Sequence, residues 1–88
     1  PLTKNFSVGV LFPNPAKDAV TVRFNSENGS HANIQIVDVS GSEVMVISDK
    51  ISGGVFEKNI DLNDLAKGVY FVEISDGNLR TIRRLVIR

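Results

Sequence analysis

Hydrophobic residues in this chain fall in short runs, most of them alternating with polar ones, and each run is closed by a turn signal. Alternation at period two marks a half-buried strand, because successive side chains of a pleated backbone point to opposite faces. About seven such runs recur at a spacing of roughly twelve residues. The first, Phe6–Phe12, is apolar and stops at a proline. Ala19–Asn25 sets Val20, Val22 and Phe24 on one face and Thr21, Arg23 and Asn25 on the other. Asn28-Gly29-Ser30 turns the chain into "ANIQIVDV", with Ile34 and Ile36 directed inward. "DVSGSEV" then makes a tight hairpin into "EVMVI", in which Gly41 takes the positive φ that such a turn needs. The polar link "SDKISGGV" precedes "VFEKNIDL", where Phe56, Ile60 and Leu62 share a face. The last two runs, "VYFVEIS" and "LRTIRRLVIR", are joined by Asp76-Gly77, a strong hairpin pair.

No stretch long enough for a helix repeats its apolar residues every 3.6 positions, so long helices are not expected. "DLNDLAKG" reads as a single helical turn, capped by Asp61, with Leu62 and Leu65 turned to the core and Gly68 at its end. The whole pattern predicts an all-β chain, a β-sandwich of about seven antiparallel strands. Leu65-x-x-Gly68-x-Tyr70 sharpens this to an immunoglobulin-like sandwich. It has the layout of a tyrosine corner, in which a tyrosine entering the next-to-last strand returns its hydroxyl to upstream backbone. Pro13-Asn14-Pro15 breaks the pattern near the start: proline lacks an N–H and pushes the preceding residue, here Phe12 and Asn14, towards extended backbone. Such a break ends the first strand, lets the chain cross towards the second sheet and guards an edge.

At 88 residues the chain is one domain with a thin core. It has no cysteine, hence no disulfide and no thiolate metal site. It starts at Pro1, without methionine or a basic-then-apolar leader, which reads as part of a longer protein. No apolar run approaches the ~20 residues of a membrane-spanning helix. Ten basic residues balance ten acidic ones, which argues against a general nucleic-acid binder. The distribution is uneven: all ten acids lie before Arg80, and "RTIRRLVIR" holds four arginines and no acid. On charge alone the ending is either a strand with a solvated arginine face or a tail read by another protein.

Catalytic patterns are missing. With one histidine, His31, read as a solvated loop residue, a Ser-His-Asp triad has little to rest on. Asp61, Asn63 and Asp64 lack the spacing and closing glutamate of a calcium loop, and no set of residues suits zinc. Gly53-Gly54 is not followed by the lysine-serine pair of a phosphate loop. The five phenylalanines mostly fall on apolar faces and read as core, and no tryptophan offers a sugar platform. The expectation is therefore a non-enzyme without cofactor or metal.

Four segments, in order, resemble one family: "FPNPAKDAVTVRF", "IQIVDVSGSEV", "IDLNDLAKGVYFVEI" and the terminal "RTIRRLVIR". The chain resembles the type A C-terminal sorting domain of proteins exported by the type IX secretion system of Bacteroidota. The resemblance runs from Leu11 to Arg88 and places the sorting domain at 11–88, with 1–10 as linker or first-strand region near the cleavage region. It implies a periplasmic passage of the upstream cargo, recognition by the outer-membrane translocon, and then delivery to the cell surface or medium. A surface sortase usually removes the domain and joins the cargo to anionic lipopolysaccharide or releases it. Residue by residue, the Pro-x-Pro motif falls on Pro13 and Pro15 around Asn14, the hairpin glycine on Gly41, and the corner on Leu65, Gly68 and Tyr70. The terminal basic pattern, the implied recognition signal, falls on Arg84, Leu85, Val86 and Arg88, with arginine where many members carry lysine. The implied partners are the translocon, its sortase and shuttle proteins, and the linked cargo; strand exchange of the last strand gives a route to a homodimer. The alternative reading is a retained immunoglobulin-like structural or adhesive module of a surface protein.

Overall fold

A computed structural model describes residues 9–26, 31–51, 54–76 and 80–88. It contains seven strands: β1 (Val10–Phe12), β2 (Ala19–Ser26), β3 (His31–Asp38), β4 (Glu43–Lys50), β5 (Gly54–Asp61), β6 (Gly68–Ser75) and β7 (Arg80–Ile87). They form a three-stranded sheet ordered β1-β2-β5 and a four-stranded sheet ordered β4-β3-β6-β7, with every ladder antiparallel. This is the immunoglobulin-like sandwich expected from the alternation. The part of the expected first strand before Gly9 and the turn residues Asn28-Gly29-Ser30, Gly53 and Gly77 lie outside the described residues.

The core is what period two predicts. Val20, Val22 and Phe24 from β2 meet Ile34 and Ile36 from β3, Val72 and Ile74 from β6, and Leu85 and Ile87 from β7. Burial of branched side chains from two facing sheets is the main stabilising term, each fully buried one contributing about 1.5–3 kcal/mol before entropy is set against it. Phe24 and Phe56 meet across β2 and β5 with ring centroids 5.2 Å apart. At the other face of the same sheet Phe12 lies under the Arg23 guanidinium, 5.1 Å from its carbon to the ring centre.

The phenylalanines thus divide, where core was expected for most: Phe24 is buried and Phe56 packs against the core, but Phe12 and Phe71 sit on outer faces. The strands also run longer than their apolar runs. Ser48, Asp49 and Lys50, expected in a polar link, continue β4 because Asn33, Ala32 and His31 of β3 pair with them. For the same reason His31 is an exposed strand residue and not a loop residue. The hairpin between β3 and β4 is as expected: Gly41 has φ 90° and donates its N–H to the Asp38 carbonyl at 3.0 Å.

Candidate functional site

The segments singled out in the sequence are far apart in the chain, yet they meet at one end of the sandwich. The corner is the anchor. Tyr70, buried at the start of β6, donates its hydroxyl to the Ala66 carbonyl at 2.6 Å, as its spacing from Leu65 and Gly68 predicts. The expected helical turn before it is not helical. Asp61 accepts the Asn63 N–H through its side chain at 2.9 Å, Leu65 donates to the Leu62 carbonyl at 3.0 Å, and no further turn follows. Asp61 closes an Asx-type turn, a local bond that competes with helix. Gly68 opens β6 and does not end a helix.

Pro13 and Pro15, both preceded by cis peptide bonds, carry the chain from β1 in one sheet to the outer edge of β7 in the other. Asn14 docks there with both ends of its amide. Its Nδ2 donates to the Arg84 carbonyl at 2.8 Å, and its Oδ1 accepts the Val86 N–H at 3.1 Å. Ala16 extends the contact with backbone: its N–H donates to the Val86 carbonyl at 2.7 Å and its carbonyl accepts the Arg88 N–H at 2.9 Å. Further up the strand, Arg83 donates Nε to the Gly9 carbonyl at 3.1 Å and Nη1 to the Ile82 carbonyl at 3.0 Å. Gly9 lies close against the core: a Cβ there would lie 2.8 Å from Ile74 Cδ1, so the end of that side chain would have to shift. The proline segment therefore does more than avoid pairing: it supplies a substitute partner for the edge of the last strand. Addition of β7 to another sheet requires Asn14 and Ala16 to let go first.

The last strand sorts its residues by face. Leu85 and Ile87 are buried in the core, and Arg83 is half-buried beside them. Arg80, Ile82, Arg84 and Val86 face outward. Of the arginines, Arg80 pairs with Glu73 at 3.0 Å and Arg83 is bound to backbone. Arg84 and Arg88 remain exposed and, among the described residues, have no acidic partner. Arg84 stands opposite Phe71 in the β6–β7 ladder, so the aromatic neighbour missing within its own strand is provided by the next one. In the folded domain the residues of the terminal pattern thus split: Arg84, Val86 and Arg88 on the outside, Leu85 in the core.

Below Ile87 the same end of the sandwich opens a pocket of about 250 Å³. Leu62, Leu65 and Ile87 line it with apolar surface, and Lys17, Lys67 and Arg88 with positive charge. No group of three or more potential metal-ligating side chains exists among the described residues.

A sandwich with a tyrosine corner, and with its terminal strand clamped by a Pro-x-Pro segment, defines a small immunoglobulin-like accessory domain. Residues 10–88 match the family described as secretion system C-terminal sorting domain, and the chain belongs to that family. It is a C-terminal sorting domain of the type IX secretion system, whose members address proteins for export to the cell surface or beyond it. No curated protein sequence matches the chain. Among solved structures it is similar to dimeric latent PorU from Porphyromonas gingivalis, with a TM-score of 0.69 at 20% identity over 90% of this chain. The chain spans 9% of that protein's length, and at this identity the likeness concerns the fold.

Proposed function

We propose that this domain directs an upstream cargo through the outer membrane by presenting the outer face of β7 to the type IX translocon. The observation that carries the reading is the pair Arg84, on β7, and Arg88, just past its end, both exposed and without acidic partners among the described residues, while the other arginines of the strand are already engaged. A charge left unpaired on an ordered strand keeps its hydration and is available for a partner's carboxylate, which a paired one is not. The cargo folds in the periplasm, the folded domain is read there, and after passage a surface sortase cuts the chain and joins the cargo to anionic lipopolysaccharide or releases it. On this reading the domain is a substrate of that sortase and has no catalysis of its own.

The test fuses the chain to a reporter in a type IX-competent host and compares surface or medium delivery with and without residues 84–88. Because Leu85 and Ile87 are core residues, a second fusion carries Arg84→Gln and Arg88→Gln, which leaves the core intact. Loss of delivery in both, with the double variant still folded, is the expected outcome. Normal delivery by the double variant defeats the recognition role. Mass spectrometry of the exported parent protein then settles its fate: an ending before about Leu11 means removal, and an ending at Arg88 means a retained module.

A further inference from the structure

The pocket at the end of the sandwich opens over the margin of the core and beside the edge clamp, with which it shares Arg88. Its floor is Leu62, Leu65 and Ile87, drawn from the corner turn and the end of β7. Its rim carries Lys17, Lys67 and Arg88, all exposed. Asp18 shares the rim, and in the 88-residue chain Arg88 also carries the terminal carboxylate, yet the ion pairs of the described residues are Arg23–Glu57, Lys58–Asp49 and Arg80–Glu73. The three rim cations are thus unpaired around a concave apolar surface, in a chain whose formal net charge is zero. Exposed cations gain little from a flat solvated surface, but a concavity that shelters an apolar group brings an attached anion to them with less water between.

We infer that this pocket is a docking site for an acidic peptide segment of a partner protein, taking one apolar side chain on Leu62, Leu65 and Ile87 and adjacent carboxylates on Lys17, Lys67 and Arg88. Concavity favours a peptide over an anionic lipid surface, because a pocket of about 250 Å³ holds one side chain and is not filled by a flat headgroup layer. Charge sets the chemistry of the flanking residues, and the excess of the Lys17, Lys67 and Arg88 cations over the Asp18 and terminal carboxylates sets its sign. The inference gives the sorting reading a class of recognised segment and rests on it only for biological role. Binding itself belongs to the chain alone.

The experiment measures fluorescence anisotropy of a labelled, end-blocked Gly-Asp-Leu-Glu-Gly peptide against the 88-residue chain. A Gly-Lys-Leu-Lys-Gly peptide and phosphatidylglycerol vesicles are titrated in parallel. The expected result is binding of the acidic peptide only, weakened by salt and weakened about fivefold by Lys17→Gln with Lys67→Gln, the scale of two solvent-screened ion pairs. Arg80→Gln, a cation on the same sheet but away from the pocket, leaves the affinity unchanged. The inference is overturned by absence of peptide binding to the native chain, by equal loss in the Arg80 variant, or by binding to vesicles in place of peptide. An unchanged thermal midpoint for each variant separates loss of the site from loss of the fold. Export of the reporter fusion fails or persists independently: delivery lost on removing residues 84–88 while the peptide never binds sinks the pocket and leaves the sorting role standing.

Discussion

The two outer strands of the four-stranded sheet, β4 and β7, have the same length and opposite treatment. Both are eight residues long and both expose apolar side chains, Val46 on one and Ile82 on the other. β7 buries Leu85 and Ile87 and has Asn14 and Ala16 bonded along its outer edge. On β4 the inward residues Met45 and Ile47 are only partly buried, and no described residue outside the hairpin bonds to its backbone. Its protection is indirect: a register irregularity between Ile36 and Val37, and an Asp49–Lys58 ion pair of 3.1 Å. Bulges and charges discourage pairing, whereas a hydrogen-bonded cover removes the free groups altogether. Of these two edges the fold thus gives the stronger protection to the strand that carries Arg84 and leads into Arg88, and keeps that strand in the sheet while its outer face stays open.

The inner faces give the largest contrast. Leu85→Ala opens a cavity in a fully buried site and is expected to cost about 2–5 kcal/mol, whereas Met45→Ala at a partly buried site costs less than half as much. Urea unfolding of the two variants measures this, and equal losses would remove the distinction between the strands. Next comes the cover itself. Asn14→Ala strips two partners at once and leaves the Val86 N–H and Arg84 carbonyl to water, at a cost of about 1–3 kcal/mol. Hydrogen exchange then quickens at Val86 and Arg88, with β4 amides unmoved. Asn14→Asp retains the acceptor for Val86 but turns a second acceptor towards the Arg84 carbonyl, so it recovers only part of the loss. Unaltered exchange at Val86 in Asn14→Ala would mean that the clamp does not hold the strand.

Much of this was legible in the residue pattern, and the gaps have physical causes. Val20, Val22 and Phe24 alternate strictly, and all are buried; Tyr70 with Leu65 and Gly68 announces a corner that the 2.6 Å bond to Ala66 realises. Both signals are local, with period or spacing fixed by backbone geometry. The Asn14 clamp is not local: its partners Arg84 and Val86 lie 70 and 72 positions away, so the sequence reveals a break in pairing but not its new partner. The C-terminal end of β4 was missed because Ser48, Asp49 and Lys50 have weak strand preference and are held by β3. The single helical turn at Asp61 was misread because an aspartate that caps a helix and one that closes an Asx turn look alike until the following N–H bonds are known. Of the four terminal arginines, the sequence could not separate the two that are tied, Arg80 and Arg83, from the two that are free of acids.

The smallest effect separates the two edges by acidity. Asp38 at the β3–β4 turn accepts the Ser40 hydroxyl at 2.7 Å and the N–H groups of Ser40 and Ser42 at 3.0 and 2.9 Å through Oδ1. These bonds, the Ser40 hydroxyl first and the Ser42 N–H next, favour the ionised carboxylate and hold its pKa below the ordinary 3.8. A folded-state pKa below the unfolded one contributes stability above the unfolded value, and that contribution fades as pH falls through the folded value. Acidification below about pH 4 should therefore release the Ser40 and Ser42 amides while the Asn14 clamp, which has no titrating group, keeps Val86 bonded. The effect is read as the difference between the native chain and Asp38→Asn, whose amide carries no such dependence. Amide shifts at Ser40, Ser42 and Val86 followed by NMR through the titration would decide it. Simultaneous movement of Val86 and Ser42 would show that the two edges respond as one, and the asymmetry of the sheet would then be one of packing alone.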